Sequence, residues 1–188
     1  MAGNSVVRLV REWAPIVIGA LVIALLLRLF LFQAYEIPSG SMLPTLKDGD
    51  RVVVNQASYR LGEIERGQVV VFDRPPSVEG ENDFIKRIIG LPGETIRFVD
   101  RQVYVDGLRV VEPYLLAPES TRTSGAIPGC SASIATSDSC VVPEGHVFVL
   151  GDNRLSSVDS RQFGPIPTET IVGRAFWRVW PFTDLSQL

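Results

Sequence analysis

The sequence predicts a mainly β protein: a single N-terminal transmembrane helix followed by an all-β domain of antiparallel sheets. Three observations carry that prediction. A run near the start is apolar, with Arg28 its only charge, over roughly the length a helix needs to cross a bilayer. Past residue 35, short β-rich runs are bounded by Gly, Pro and Asp. No amphipathic helical period appears in that part of the chain. At 188 residues the chain is long enough for an anchor and one domain with its own core.

The first element is a tail at residues 1–13, containing Arg8 and Arg11. An anchor at 14–34 follows. Ile16 to Leu27 is uncharged, and Leu29-Phe30-Leu31-Phe32 continues it past Arg28, whose side chain is placed to snorkel toward the headgroups. A cleaved secretory leader is the competing reading. The apolar run is too long for one, and Gln33-Ala34-Tyr35-Glu36 is a poor small-x-small site. With Arg8 and Arg11 ahead of the anchor, the positive-inside rule puts the N-terminus in the cytoplasm and residues 35–188 outside.

Strands are expected at Asp50–Val54, Gln68–Phe72, Phe84–Ile89, Thr95–Val99, Gln102–Val105, Leu108–Val111, His146–Leu150 and Ile171–Val179. Asp106-Gly107 is a hairpin signal between two of them. Between Val111 and His146 lies a loop insertion, 118–140, rich in Ser, Thr, Gly and Ala. It holds Cys130 and Cys140, the chain's two cysteines. In an exported domain two such residues point to one disulfide closing a short loop, against the alternative of two free thiols. That loop is remote in sequence from the motifs below. Trp177, Trp180 and Phe182 are candidates to dip into a membrane interface, although ordinary core packing is the preferred reading.

Composition excludes several functions. A net charge of −3 gives no basic field, so nucleic acid is not an expected partner. His146 is the single histidine and sits in a strand-like run, which argues against a Ser-His-Asp triad. One His and two Cys do not make a structural zinc site. Asp152-Asn153 lacks the neighbouring carboxylates of a metal site. No metal and no cofactor is expected.

The chemistry is expected from lysine. The chain has only two, Lys47 and Lys86, beside sixteen arginines. Lys86 lies in Phe84-Ile85-Lys86-Arg87-Ile88-Ile89, where desolvation would favour the neutral amine. A neutral lysine accepts a proton, which arginine does not do. Ser39 and Ser41 lie in the turn-forming stretch Pro38 to Pro44, just after the anchor. A serine beside a neutral lysine is a hydrolase arrangement that needs no histidine. The motif alone leaves open which serine attacks.

These residues fall into blocks. They are Ser39-Gly40-Ser41-Met42-Leu43-Pro44-Thr45-Leu46, Gly49-Asp50, Gly67 to Phe72, Lys86 to Glu94, Gly151-Asp152-Asn153-Arg154 and Ser157-Val158-Asp159-Ser160-Arg161. In this order, behind an anchor, the chain resembles the type I signal peptidases over nearly its whole length. Leu155-Ser156 departs from the family, which more often carries polar residues such as Asp or Asn there.

The resemblance implies a β catalytic domain in which Ser41 is the nucleophile and Lys86 the general base. It implies that Ser39 contributes its hydroxyl to the oxyanion hole, and that Ser157 hydrogen-bonds and orients Lys86. Asp159 and Arg161 would brace that wall, and Asp152 would pair with an arginine such as Arg87. Tyr35, Ile37, Pro38 and Ile85 would line a substrate cleft that admits small side chains. An extended substrate would pair its backbone near Asp83 to Ile85. The implied partners are signal-peptide-bearing preproteins and the lipid bilayer, and the implied place is the cell membrane. Two other readings are a self-cleaving Ser/Lys repressor-type protease and an anchored β domain without catalysis. The anchor and the absence of a DNA-binding segment argue against the first, and an intact Ser41 and Lys86 against the second.

Overall fold

The computed structural model describes residues 11–23, 32–56, 64–79, 83–116, 121–123, 126–130 and 138–188. Helix α1 covers residues 11–23. Among the described residues no helix is long and apolar enough to cross a membrane. The expected anchor lies partly outside the described residues, at 24–31 with Arg28, as do residues 1–10 with Arg8 and much of the expected 118–140 insertion.

The anchor boundary differs from expectation. Phe32, Gln33 and Ala34 belong to strand β1 (Phe32–Glu36), which pairs antiparallel with β2 (Arg51–Asn55). Phe32 stands opposite Asn55, and Glu36 opposite Arg51. The strand supplies backbone partners to an edge of β2 that a helix ending at Ala34 would leave bare.

The remaining strands are β3 (Val69–Phe72), β4 (Phe84–Gly90), β5 (Thr95–Val99), β6 (Gln102–Val105), β7 (Leu108–Arg109), β8 (Ser139–Val141), β9 (His146–Leu150), β10 (Ile166–Pro167), β11 (Ile171–Trp180) and β12 (Ser186–Gln187). All eight expected strands are present, with ends within a residue or two. The short strands β8, β10 and β12 and the one-turn helix α2 (Ser160–Phe163) had no legible period. Between β6 and β7, Asp106 and Gly107 have φ of 49° and 79°, the left-handed pair that a two-residue hairpin of matching twist requires.

The described ladders are antiparallel. The large sheet runs β1-β2-β11-β3-β4-β9-β10, with β12 also on β11; the small sheet runs β7-β6-β5-β8. Strand β4 is the hinge of the packing. Its Ile85, Ile88 and Ile89 enter three separate apolar clusters. Both faces of β4 are therefore covered, which is why its sequence reads as a nearly continuous apolar run.

Trp177, Trp180 and Phe182 do not pack in the core. They are 41%, 45% and 74% exposed. They sit at the far end of β11 and just beyond it, where the described partners are the edges of β2 and β12. Trp180 and Phe182 stack edge-to-face on each other, with centroids 4.9 Å apart.

Cys130 and Cys140 form a disulfide with Cα atoms 5.2 Å apart, ten residues apart in sequence. Cys140 is on β8, paired with Ile96 of β5, so the bond ties a loop to the small sheet. Closing so short a loop contributes about 2–3 kcal/mol. Urea unfolding with and without reductant should differ by that amount. A shift under about 0.5 kcal/mol would mean that β8 holds its place without the bond.

Candidate active site

Ser41 lies in a single 3-10 turn, Gly40–Met42. The turn is held from below by Met42 and Leu46, both fully buried, and Leu46 N–H donates to the Met42 carbonyl at 2.9 Å. It is held from the side by Asn153. The Asn153 backbone N–H donates to the Ser41 carbonyl and its side-chain amide to the Gly40 carbonyl, each at 3.0 Å. Asn153 thus clamps the turn, a role that the sequence reading did not assign to it.

Lys86 is 4% exposed, in the middle of β4. Its Nζ stands 2.8 Å from Ser41 Oγ and donates to the Ile85 carbonyl, also at 2.8 Å. Phe84, two residues away and therefore on the same strand face, places its ring 5.1 Å from Nζ. Burial pushes the Lys86 pKa down to about 8, while Asp159 and Asp152 pull it back up. A large share of the amine is therefore neutral in mildly alkaline solution, within contact of a serine hydroxyl. Ser39 Oγ donates to Ser41 Oγ at 3.3 Å.

Behind this pair lies a buried ionic wall. Arg87 follows Lys86 and, by strand alternation, points the other way. It forks onto Asp152 at 2.9 and 2.7 Å and donates to the Gly67 carbonyl at 2.8 Å. Thr45 Oγ1 also donates to Asp152, which ties the Ser41 segment to the same carboxylate. Arg161 forks onto Asp159 at 2.8 Å for both contacts, and Asp159 accepts from the Gly151 N–H at 3.1 Å. Asp159 also caps α2.

Ser157 is placed differently from expectation. It is buried, but its hydroxyl has no hydrogen-bond partner and does not reach Lys86. Its side chain packs over Gly151, so a Cβ built on Gly151 would lie 2.2 Å from Ser157 Oγ and 2.6 Å from the Ser41 carbonyl oxygen. The carbonyl of Ile85, and not Ser157, holds Nζ in this geometry. Ser156 instead lines the open side.

That open side is a cleft of about 580 Å³ beside Ser41 and Lys86. Pro38 and Ile85 line it as expected, with Leu43, Phe84 and Val158. Ile37 and Tyr35 do not line it. Ile37 is 2% exposed in the core under β1 and β2, and Tyr35 packs against the same cluster. The alternation of strand side chains turns Ile37 inward while its neighbour Pro38 faces out. Along the cleft, β4 is paired with β3 from Phe84 to Arg87 but with β9 only from Arg87 onward. Phe84, Ile85 and Lys86 thus have an edge free of strand partners among the described residues.

A family model described as signal peptidase, peptidase S26, matches residues 10–180. The chain belongs to the signal peptidase family. It is 41% identical over 94% of its length to a signal peptidase I of Bacillus caldolyticus, covering 93% of that protein. It is 38% identical over 93% of its length to signal peptidase IB of Staphylococcus aureus strain COL, covering 92% of that protein. A crystal structure of a signal peptidase I from Enterococcus faecalis V583 aligns with 60% of this chain and 96% of that one, at 32% identity and a TM-score of 0.47. As a member of the signal peptidase family the chain is a serine peptidase, a hydrolase. The family match spans Ser41, Lys86 and the whole ionic wall behind them.

The crowding at Gly151 generates a test. Gly151→Ala would drive a methyl group into both Ser157 and the Ser41 carbonyl. Overpacking of this kind costs about 1–3 kcal/mol of stability. The Ser41 turn should also shift, so turnover should fall at least tenfold in protein that remains folded. Wild-type turnover in Gly151→Ala would show that the wall does not position Ser41.

Proposed function

We propose that this chain is a membrane-anchored serine endopeptidase that removes N-terminal signal peptides from exported preproteins, with Ser41 as nucleophile and Lys86 as general base. The observation that carries the reading is the 2.8 Å approach of a buried, pKa-depressed amine to a serine hydroxyl at the floor of a cleft. Neutral Lys86 takes the Ser41 proton as Oγ attacks the scissile carbonyl carbon. The Ser41 backbone N–H and the Ser39 hydroxyl then receive the oxyanion. Lys86, now an ammonium, returns the proton to the leaving amine. Water resolves the acyl-enzyme by the same route.

The free edge at Phe84 to Lys86 suits an extended substrate, which would add as a strand. Cleft walls from Pro38, Leu43, Ile85 and Val158 are apolar and favour small side chains on either side of one residue, the small-x-small pattern. The anchor is assigned to the apolar span from residue 14 up to the start of β1. The tail is then cytoplasmic and the β domain lies on the outer face of the cell membrane. Asp159, Arg161 and Asp152 act as braces and take no part in proton transfer.

A purified-enzyme assay on a signal-bearing precursor tests the reading. Lys86→Arg keeps a cation and removes the base, so it should be as inactive as Lys86→Ala, while Lys47→Arg, altering an exposed residue, should retain full turnover. Near-normal turnover by Lys86→Arg would remove the lysine mechanism. The rate should rise with pH through about 8, because the neutral amine is the active form. Stability should also rise between about 8 and 10.5. Across that window the unfolded chain holds a proton that the folded chain has lost.

The serines separate by magnitude. Ser41→Ala should abolish cleavage. Ser39→Ala should lower the rate by on the order of 10²–10³, the cost of one oxyanion donor. The reverse ranking would make Ser39 the nucleophile. In the substrate, Leu in place of Ala before the scissile bond should block cutting, and equal rates for the two would contradict the proposed pocket.

A further inference from the structure

Arg154 follows Asp152 and Asn153 in the loop that clamps Ser41, and its guanidinium is entirely buried. It donates to the Gly151 carbonyl at 3.1 Å, so it braces the start of its own loop. The rest of the guanidinium turns toward the small-sheet lobe. It forks onto both carboxylate oxygens of Glu112 and donates to Thr121 Oγ1 at 2.7 Å. Glu112 in turn accepts from the Tyr114 hydroxyl at 2.7 Å. The Tyr114 ring lies under the Arg87 guanidinium, 4.1 Å from its carbon. Arg87 forks onto Asp152.

These contacts close a ring: Asp152, Arg87, Tyr114, Glu112, Arg154, and back through the chain to Asp152. Two of its members, Glu112 and Tyr114, belong to the segment after β7 and touch neither Ser41 nor Lys86. Burial, with Glu112 beside it, pushes the Tyr114 hydroxyl up, so it remains a donor. The same lobe grips the wall a second time, where Arg161 donates to the Arg122 carbonyl at 3.0 Å. The insertion that is remote in sequence from these motifs thus contacts Arg154 through Thr121 and Arg161 through the Arg122 carbonyl.

We infer that Glu112 and Tyr114 are positioning residues, through which the small-sheet lobe sets the place of the 151–157 loop and hence of Ser41. The physical reason is that the loop reaches Ser41 through Asn153, whose neighbours on either side, Asp152 and Arg154, are the two points fixed by the ring. With Glu112 gone, Arg154 is a buried charge without its carboxylate and must move or draw in water. Asn153 then moves with it, and a nucleophile displaced by about 1 Å loses up to about 10² in rate. The inference rests on the Ser41–Lys86 reading above.

The test measures kcat, KM and thermal midpoint on a signal-bearing precursor with the full chain. Glu112→Gln should lower kcat per folded molecule about 10- to 100-fold, with KM changed less than about threefold, and should lower the midpoint while leaving the chain folded at the assay temperature. Tyr114→Phe keeps the ring on Arg87 and loses only the hydroxyl, so its loss should be smaller. The double variant should be no worse than Glu112→Gln alone, because the hydroxyl acts through Glu112. Unchanged kcat in Glu112→Gln overturns the inference. So does a fall in kcat that tracks a loss of folded protein, or fully additive losses in the double variant. If Glu112→Gln does not fold, Tyr114→Phe decides by the same criteria. Failure of the Ser/Lys reading is separate, since it would appear as activity in Ser41→Ala or Lys86→Arg.

Discussion

The constraint on which this structure depends is the burial of one amine. Lys86 sits in a strand covered on both faces, among side chains that offer its charge little. A permanently charged group there would demand a carboxylate within contact. Lys86 has none within ion-pair distance among the described residues; its contacts are the Ser41 hydroxyl and the Ile85 carbonyl. The group settles the conflict by giving up its proton easily. Asp152 and Asp159 sit far enough away to moderate that tendency without pairing with it, which leaves the pKa near 8.

That arrangement governs the neighbours. Arg87 is adjacent in sequence and also buried, so its charge must be met on the opposite face, and Asp152 meets it. Asp152 also binds Thr45, three residues past Met42. The strand that carries Lys86 is thereby tied to the turn that carries Ser41. Asp159 and Arg161 repeat the device on the other side of Gly151. Ser41 and Lys86 are held between two buried ion pairs, whose carboxylates offset part of the effect of burial on the amine.

Much of this is legible in the sequence. The eight expected strands could be read because each has a two-residue period, a continuous apolar run or, for the two-residue β7, the Asp106-Gly107 turn ahead of it. Strands β8, β10 and β12 span only two or three residues and carry no period. The expected anchor takes in Phe32 to Ala34 because hydropathy does not distinguish the end of an apolar helix from a strand that continues it. Ser39, Ser41, Lys86 and the Gly151–Arg161 segment stood out because their spacing matches the signal peptidase family. Ile37 was misplaced by a single step of alternation, which turns it inward while Pro38 lines the cleft. Glu112 and Tyr114 left no local signal: their partners are about 40 and 27 residues away, and only the packing of the two sheets brings them together.

The cation composition has a physical logic in this light. Among the described residues Arg87 and Arg154 are the buried arginines and each forks onto a carboxylate, and the partly covered Arg161 and Arg178 each meet one as well. Arginine cannot shed its proton, so burying it makes a fixed electrostatic strut that always requires a partner. Lysine can shed its proton, so a buried lysine without a carboxylate is the one cation in this core whose charge is free to change. Had the wall been built from lysines, each would have been a competing base near Ser41, with a charge that shifted with pH. Among the described residues, using arginine for the buried struts and keeping one buried lysine leaves a single nitrogen in this core able to change its charge, 2.8 Å from one hydroxyl.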